Sequence, residues 1–336
     1  MSTDPTSTEQ TTADAAGAGE TKPATVSTRP AAGPTYDAPA PPVGAGGLRR
    51  RRRSPMGDPS WVLTIGVLAA VAYFLLPLVW IVVASTKSNA DLFSSFGLWF
   101  ADEVSLMQNL EDVFTFQDGI FLLWTRNTVL YAVVSAVGAA ALATAAGYAF
   151  AKLRFPGSNG LFAVILGAIM VPPAALAIPT YLLFSKFGLT DTPWAVIVPS
   201  LVSPFGVYLM RVYAAGAIPD SLLEAARVDG ASELRIFFSV ALRLLAPGFV
   251  TVLLFALVAT WNNYFLPLIM LNSSDLYPLT VGLAQWQATS AAGSGSQALF
   301  SMVITGSMVS IIPLIVVFLF LQRYWQSGLA TGGVKQ

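Results

Sequence analysis

Six stretches of the chain, residues 61–84, 128–151, 160–185, 193–210, 244–271 and 298–321, contain no Asp, Glu, Lys or Arg. A helix of about 20 apolar residues crosses the hydrocarbon core of a bilayer, so the pattern predicts six membrane-spanning helices; the fourth run, at 18 residues, is the shortest. Between the fourth and fifth runs the character changes abruptly. Residues 219–237 read P-D-S-L-L-E-A-A-R-V-D-G-A-S-E-L-R-I-F, a polar island between two apolar segments. The expected fold class is all-α, a polytopic membrane protein with six transmembrane helices and one short surface helix.

The island carries its own start and stop signals. Ser221 and Glu224 form an S-x-x-E pattern just after Pro219 and Asp220, which predicts a helix beginning near residue 220 with a capping box. Asp229 and Gly230 supply a residue tolerant of positive φ where that helix ends, and Ser232 before Glu233 can cap the next one. A helix of two to three turns is thus held at the membrane surface. Ala225 and Ala226 keep it slim, Leu222, Leu223 and Val228 offer apolar contact, and Glu224, Arg227 and Asp229 offer charge, a composition suited to docking into another protein.

With 336 residues, 55% apolar content and 11% charge, the chain lies outside the soluble globular range. It has no Cys and no His, which removes thiol nucleophiles, imidazole bases, disulfides and the commonest metal ligands. Net charge is zero, but the charges are unevenly placed. Residues 1–58 form a tail rich in Ala, Thr, Pro, Gly and Ser, expected to be disordered, and five consecutive arginines at 49–53 read as a membrane-orienting cluster rather than a nucleic-acid patch. The first apolar run is too long for a signal-peptide core and reads as an uncleaved helix that opens a membrane domain over 59–336. Placing the tail in the cytoplasm puts 15 of the 18 Lys and Arg on the cytoplasmic side, leaving Lys87, Arg126 and Lys186 outside. Both termini and the 219–237 loop are therefore expected to be cytoplasmic. The first external loop, 85–125, holds six acidic residues and is long enough for a small cap.

Within the spans, Gly138, Ala139, Ala143, Ala146 and Gly147 allow close helix approach. Pro172, Pro173, Pro179, Pro193, Pro199 and Pro204 each remove a backbone donor, so the third and fourth spans are expected to be broken, as suits a moving pathway, although static bundles tolerate prolines too. In the fifth span, Trp261, Asn262, Asn263 and Tyr264 put two amides and two aromatics inside an apolar helix. Asn is costly against lipid, so these residues are expected to face other helices or a water-filled path. Helix-to-helix hydrogen bonding and contact with a sugar, whose C–H faces and hydroxyls match aromatics and amides, both stand open. Thr180 and Tyr181 on the Pro-rich third span are grouped with them as candidate pathway residues.

The whole pattern E-A-A-x-x-D-G-A with Phe237 and Pro247 beyond it, set between two spans, resembles the coupling loop of binding-protein-dependent ABC importer permeases. The stretches A-A-G-Y-A-F-A-K-L-R-F-P-G and M-V-P-P-A-A-L-A-I-P-T-Y look like the same family, and Y-P-L-T-V-G-L with the ending L-Q-R-Y-W-Q-S-G-L-A-T-G-G-V-K resembles its carbohydrate, maltose-type branch. The resemblance runs from Trp61 to the end. It implies a type I ABC importer permease fold, multi-pass in a bacterial cytoplasmic membrane, carrying a sugar or oligosaccharide. It also implies that Leu222, Leu223, Glu224, Ala225, Ala226, Asp229 and Gly230 couple to a separate ATPase. The implied partners are a second permease, an ATP-binding ATPase dimer and an extracytoplasmic solute-binding protein, with ATP and Mg on the ATPase and no cofactor or nucleic acid on this chain. Two departures stand out. Arg243 replaces a usual Pro, which implies a straighter approach to the fifth span, and Asn263 replaces a usual acid in W-N-E-F.

No G-x-x-x-x-G-K-[ST] loop occurs, so the chain is not expected to power itself with ATP. An ion-coupled secondary transporter would place acids or Lys within the spans, and these six have none. Missing His and uncharged spans leave no acid–base pair for a membrane enzyme. Among ABC permeases, carriers of glycerol phosphate or polyamines remain alternatives to a sugar permease.

Overall fold

The computed structural model describes residues 61–291 and 299–330, with side chains to 322. The expectations for the tail, the arginine cluster and the last residues lie outside that range. Thirteen α-helices follow one another among the described residues: α1 (Trp61–Ser85), α2 (Asn89–Ser94), α3 (Leu106–Lys152), α4 (Ser158–Ile169), α5 (Pro173–Lys186), α6 (Trp194–Ser200), α7 (Pro204–Ala217), α8 (Asp220–Val228), α9 (Glu233–Ile236), α10 (Leu242–Trp261), α11 (Phe265–Met270), α12 (Leu279–Ala291) and α13 (Phe300–Ala330). Among the described residues, five segments are long and apolar enough to cross a membrane, and six if α4 and α5, bent by 105°, make one broken span.

Each departure from six straight spans has a local cause. Pro172 and Pro173 lack N–H groups and drive the residues before them out of the helical region, so the third span turns at that point. The fourth divides at residues 201–203 before Pro204, where the Ser203 hydroxyl accepts the freed Gly206 N–H. The fifth stops at Trp261, earlier than expected. A helix through residue 263 would drive the ring of Pro267 into the carbonyl four residues back. The chain instead restarts as α11. A π-turn over Phe237–Ala241 precedes α10, so the replacement of Pro by Arg243 does not yield a regular α-helical approach. The 85–125 loop is largely helical, comprising α2 and the first part of α3. That long helix is interrupted at Phe116, Gln117, Asp118 and Gly119, the last three at positive φ. Beyond the break, residues 120–152 span about 50 Å at 1.5 Å per residue.

The core is built on α3, α7 and α10, which pack on one another along their length. Small residues set the spacing. A Cβ on Gly147 would lie 2.5 Å from Met210 Cβ and 2.7 Å from the Arg211 backbone nitrogen, so the two backbones touch there. Ala140, Ala143, Tyr148, Met210, Ala214, Leu245 and Val252 fill the end of the core nearest α8. At the opposite end Phe121, Trp124, Trp261 and Trp286 form an aromatic cluster, with the Trp124 and Trp286 rings 5.0 Å apart. In α1 only Val83, Ala84 and Ser85 are buried.

Gly147→Ala should lower the melting temperature of the detergent-solubilised protein, at an overpacking cost of about 1–3 kcal/mol. Gly216→Ala, where a Cβ meets nothing within 4 Å, should leave the melting temperature unchanged or higher. Equal melting of the two variants contradicts the close α3–α7 packing.

Candidate functional site

The 219–237 island folds as its sequence directs, with one exception. Pro219 occupies the N-cap position with φ −65° and ψ 134°, and α8 begins at Asp220. The Ser221–Glu224 capping box does not form, because the helix starts one residue earlier and no side chain caps it. Asp220, an acid at the positive end of the helix, turns instead to Lys152 at the end of α3, with Nζ 2.7 Å from Oδ1. Hydrogen bonding and charge from Lys152, then the nearby Arg154 and Arg227, hold its carboxyl below the usual value. The stop is a Schellman motif. Ala231 N–H donates to Ala226 O and Gly230 N–H to Arg227 O, both at 3.0 Å, with Gly230 at φ +78°. Ser232 then caps α9 by accepting from Arg235 N–H, and Arg227 Nε reaches across the bend to Glu233 Oε1 at 2.6 Å.

The two sides of α8 differ. Leu223 is 2% exposed and packs with Tyr148, Ala214, Ile218 and Ile236. It therefore anchors the helix to its own chain and does not present apolar surface to a partner, a correction to the sequence reading. Ala226 is partly buried beside it. Leu222, Glu224, Ala225, Asp229 and Gly230 all face outward, and Val228 is 88% exposed. The sequence reading missed Leu234 and Phe238, which are exposed at 72% and 64% on the segment that follows α8. Their signal was available: two large apolar residues at i, i+4 in a polar loop.

The candidate pathway residues separate by role. Trp261 ends α10 inside the aromatic cluster. Asn262 donates Nδ2–H to Val258 O one turn back, at 2.9 Å. Asn263 accepts the Leu266 N–H on its Oδ1 and the Thr280 hydroxyl on its carbonyl, so it caps α11 and ties it to α12. This local cap is what the amide does in place of the acid. Tyr264 is 42% exposed. Thr180 donates to Leu176 O within α5, and Tyr181 lies partly buried beside Phe184 and Tyr131. α5 packs against α11, which follows the 262–264 break. Asn262, Asn263 and Tyr264 thus stand in a helix break after Trp261 and not inside a helix.

A second polar arrangement, unseen in the sequence reading, lies at the end of the core away from α8. Trp124, Asn127, Thr128 and Tyr131 share one face of α3. Trp124 donates to Ser274 O, Asn127 to Asp275 O and Tyr277 O, and Tyr131 to Leu276 O, while Thr128 Oγ1 accepts Leu279 N–H. From the other side Asp191, at φ +56°, accepts the N–H groups of Asn272 and Ser273 and the Ser273 hydroxyl. The loop between α11 and α12 is thereby held from two directions.

A bundle of broken spans with a short, largely exposed helix at one end defines a polytopic membrane protein. Residues 139–330 match the family described as "Binding-protein-dependent transport system inner membrane component", and the chain belongs to it. It is 33% identical over 287 residues to the arabinooligosaccharides transport system permease protein AraQ of Halalkalibacterium halodurans, covering 85% of this chain and 99% of that one. It is 29% identical over 278 residues to the lactose transport system permease protein LacG of Rhizobium radiobacter, covering 82% and 96%. Its fold is similar to a chain in the crystal structure of a bacterial ABC transporter involved in the import of the acidic polysaccharide alginate, with TM-score 0.68, 24% identity and coverage of 80% and 100%. The chain is thus the membrane permease component of a binding-protein-dependent ABC importer.

The hydrogen bonds from the Ser273 hydroxyl and then the backbone of Ser273 and Asn272 hold the Asp191 carboxyl below its ordinary 3.8. A lowered folded value means the clamp stabilises above pH 3.8 and is lost as pH falls through that lower value. Asp191→Asn, which tolerates the left-handed backbone, should lower thermal stability at pH 7, with the gap from wild type narrowing below pH 3.8. A gap that does not change with pH contradicts the clamp.

Proposed function

We propose that this chain forms half of the translocation pathway of an ATP-driven importer for a sugar or oligosaccharide, and that α8 seats in a cleft on a separate ATPase. The observation that carries this reading is the two-sidedness of α8. Leu223 fastens it to the α3–α7–α10 core while Leu222, Ala225, Val228, Leu234 and Phe238 are left facing outward. A helix anchored on one side, with exposed apolar and charged residues on the other, moves with its core and binds with its free face. The remaining parts are a second permease to close the pathway, an ATPase dimer holding ATP and Mg, and an extracytoplasmic solute-binding protein. Both termini and α8 lie on the cytoplasmic side, as the distribution of Lys and Arg favours.

The breaks at residues 172, 201–203 and 262–264 give the spans places to flex as the ATPase closes. The sugar assignment is supported by relatives named for arabino-oligosaccharides and lactose. Exposed Asn262 and Tyr264 supply an amide and an aromatic face beside such a path, while Trp261 and Asn263 hold the break in shape.

Affinity purification of the chain from native membranes, tagged at its C-terminus, should bring down an ATPase and a second permease with ATP-hydrolysing activity. Glu224→Lys should insert normally and lose the ATPase. Gly230→Val puts a β-branched side chain at φ +78°, disrupts the bend and should do the same. Wild-type uptake in both variants would sink the reading. Asn262→Leu should reduce sugar uptake more than it reduces assembly, and equal loss of both would make Asn262 a structural residue.

A further inference from the structure

We infer that Lys152 is a positioning residue that fixes α8 to the span it drives, through its ion pair with Asp220. The inference rests on the docking role proposed above for α8. Lys152 is the last residue of α3 and Asp220 the first of α8, 68 positions later in the chain. Their side chains are 6% and 77% exposed, so the lysine stem is buried and only its amine meets the acid. An exposed ion pair contributes little, partly because two long side chains must be ordered to form it. Here the protein already orders the lysine, and the short Asp220 side chain has little freedom to lose.

The pair supplies what the rest of the mount lacks. Leu223 holds α8 against the core by apolar contact, which resists separation but is not directional. The Lys152–Asp220 pair is directional and sits at the N-terminal end of α8. At the other end Arg227 pairs with Glu233 on α9, which runs through the π-turn into α10. The two ends of α8 are therefore tied to two different spans, α3 and α10. Tyr148, one turn before Lys152, lays its ring 5.2 Å from that of Phe237 in the π-turn, so the end of α3 also touches the start of the α10 segment. From Lys152 the uninterrupted part of α3 leads back past the Gly147 contact with α7 to the face of Trp124, Asn127, Thr128 and Tyr131 that grips the α11–α12 loop. A displacement of α8 enters α3 at Lys152 and is carried to the far end of the core.

The test uses the assembled importer in proteoliposomes, with its ATPase, second permease and solute-binding protein, and reads solute transported per ATP hydrolysed. Lys152→Met should keep the ATPase bound and lower that ratio about three- to tenfold, within the roughly two- to thirtyfold range of residues on a coupling route. Lys152→Arg should stay within about twofold of wild type, since it keeps the charge on a similar stem. The exchange Lys152→Asp with Asp220→Lys should recover more of the ratio than either single change. A wild-type ratio in Lys152→Met, loss of the ATPase from that variant, or an exchange no better than the single changes would overturn the inference. Glu224→Lys in the same assay separates the two levels. If it loses the ATPase while Lys152→Met behaves as wild type, the docking role stands and only the role of Lys152 fails; if it transports normally, the docking role itself fails.

Discussion

Inside a bilayer no water is available to a backbone donor or acceptor freed by a helix break, so every break must bring its own partners. This chain breaks its spans repeatedly, and at several of the breaks side chains meet the requirement. Ser203 takes the Gly206 N–H, Asn263 takes the Leu266 N–H and the Thr280 hydroxyl, and one face of α3 bonds five backbone groups of residues 274–279. The cost of burying the side chains named here is offset because each is hydrogen-bonded.

Against these broken elements stands a compact core. α3, α7 and α10 approach through small residues, closely enough that van der Waals packing replaces the hydrophobic drive that is weak between helices in lipid. The same core carries α8 through Leu223 at one end and grips the α11–α12 loop at the other. The elements at the breaks, α4, α5 and α11, are attached to it more sparsely. A stiff core with an external handle and hinged neighbours is a physical basis for passing a push at α8 to a pathway through the membrane.

How far this was legible in the sequence depends on how local each signal is. The limits of α8 were readable, because Pro219, Asp229, Gly230 and Ser232 act through their own backbone or their nearest neighbours. Which side of α8 faces the core was not, since a nine-residue helix presents both Leu222 and Leu223 and tertiary packing chooses between them. Pro172 and Pro173 signalled a break, but its 105° bend depends on what α4 and α5 pack against. The stop at Trp261 was missed because its cause, Pro267, lies six residues on, past two asparagines that read as polar residues within a span. In the sequence Lys152 counted only among the 15 Lys and Arg assigned to the cytoplasmic side, and its pairing with Asp220 spans 68 positions that no short pattern encodes.

On the proposed function, the outward face of α8 is the surface an ATPase grips. Because the chain has no Cys, a single Val228→Cys change gives it one thiol, on the most exposed apolar residue of that helix. Thiol cross-linking in native membranes should join this chain to an ATPase subunit, with a yield that changes when ATP is added. Transport-competent membranes in which that thiol joins no ATPase, while a thiol elsewhere on the chain does, would contradict the account.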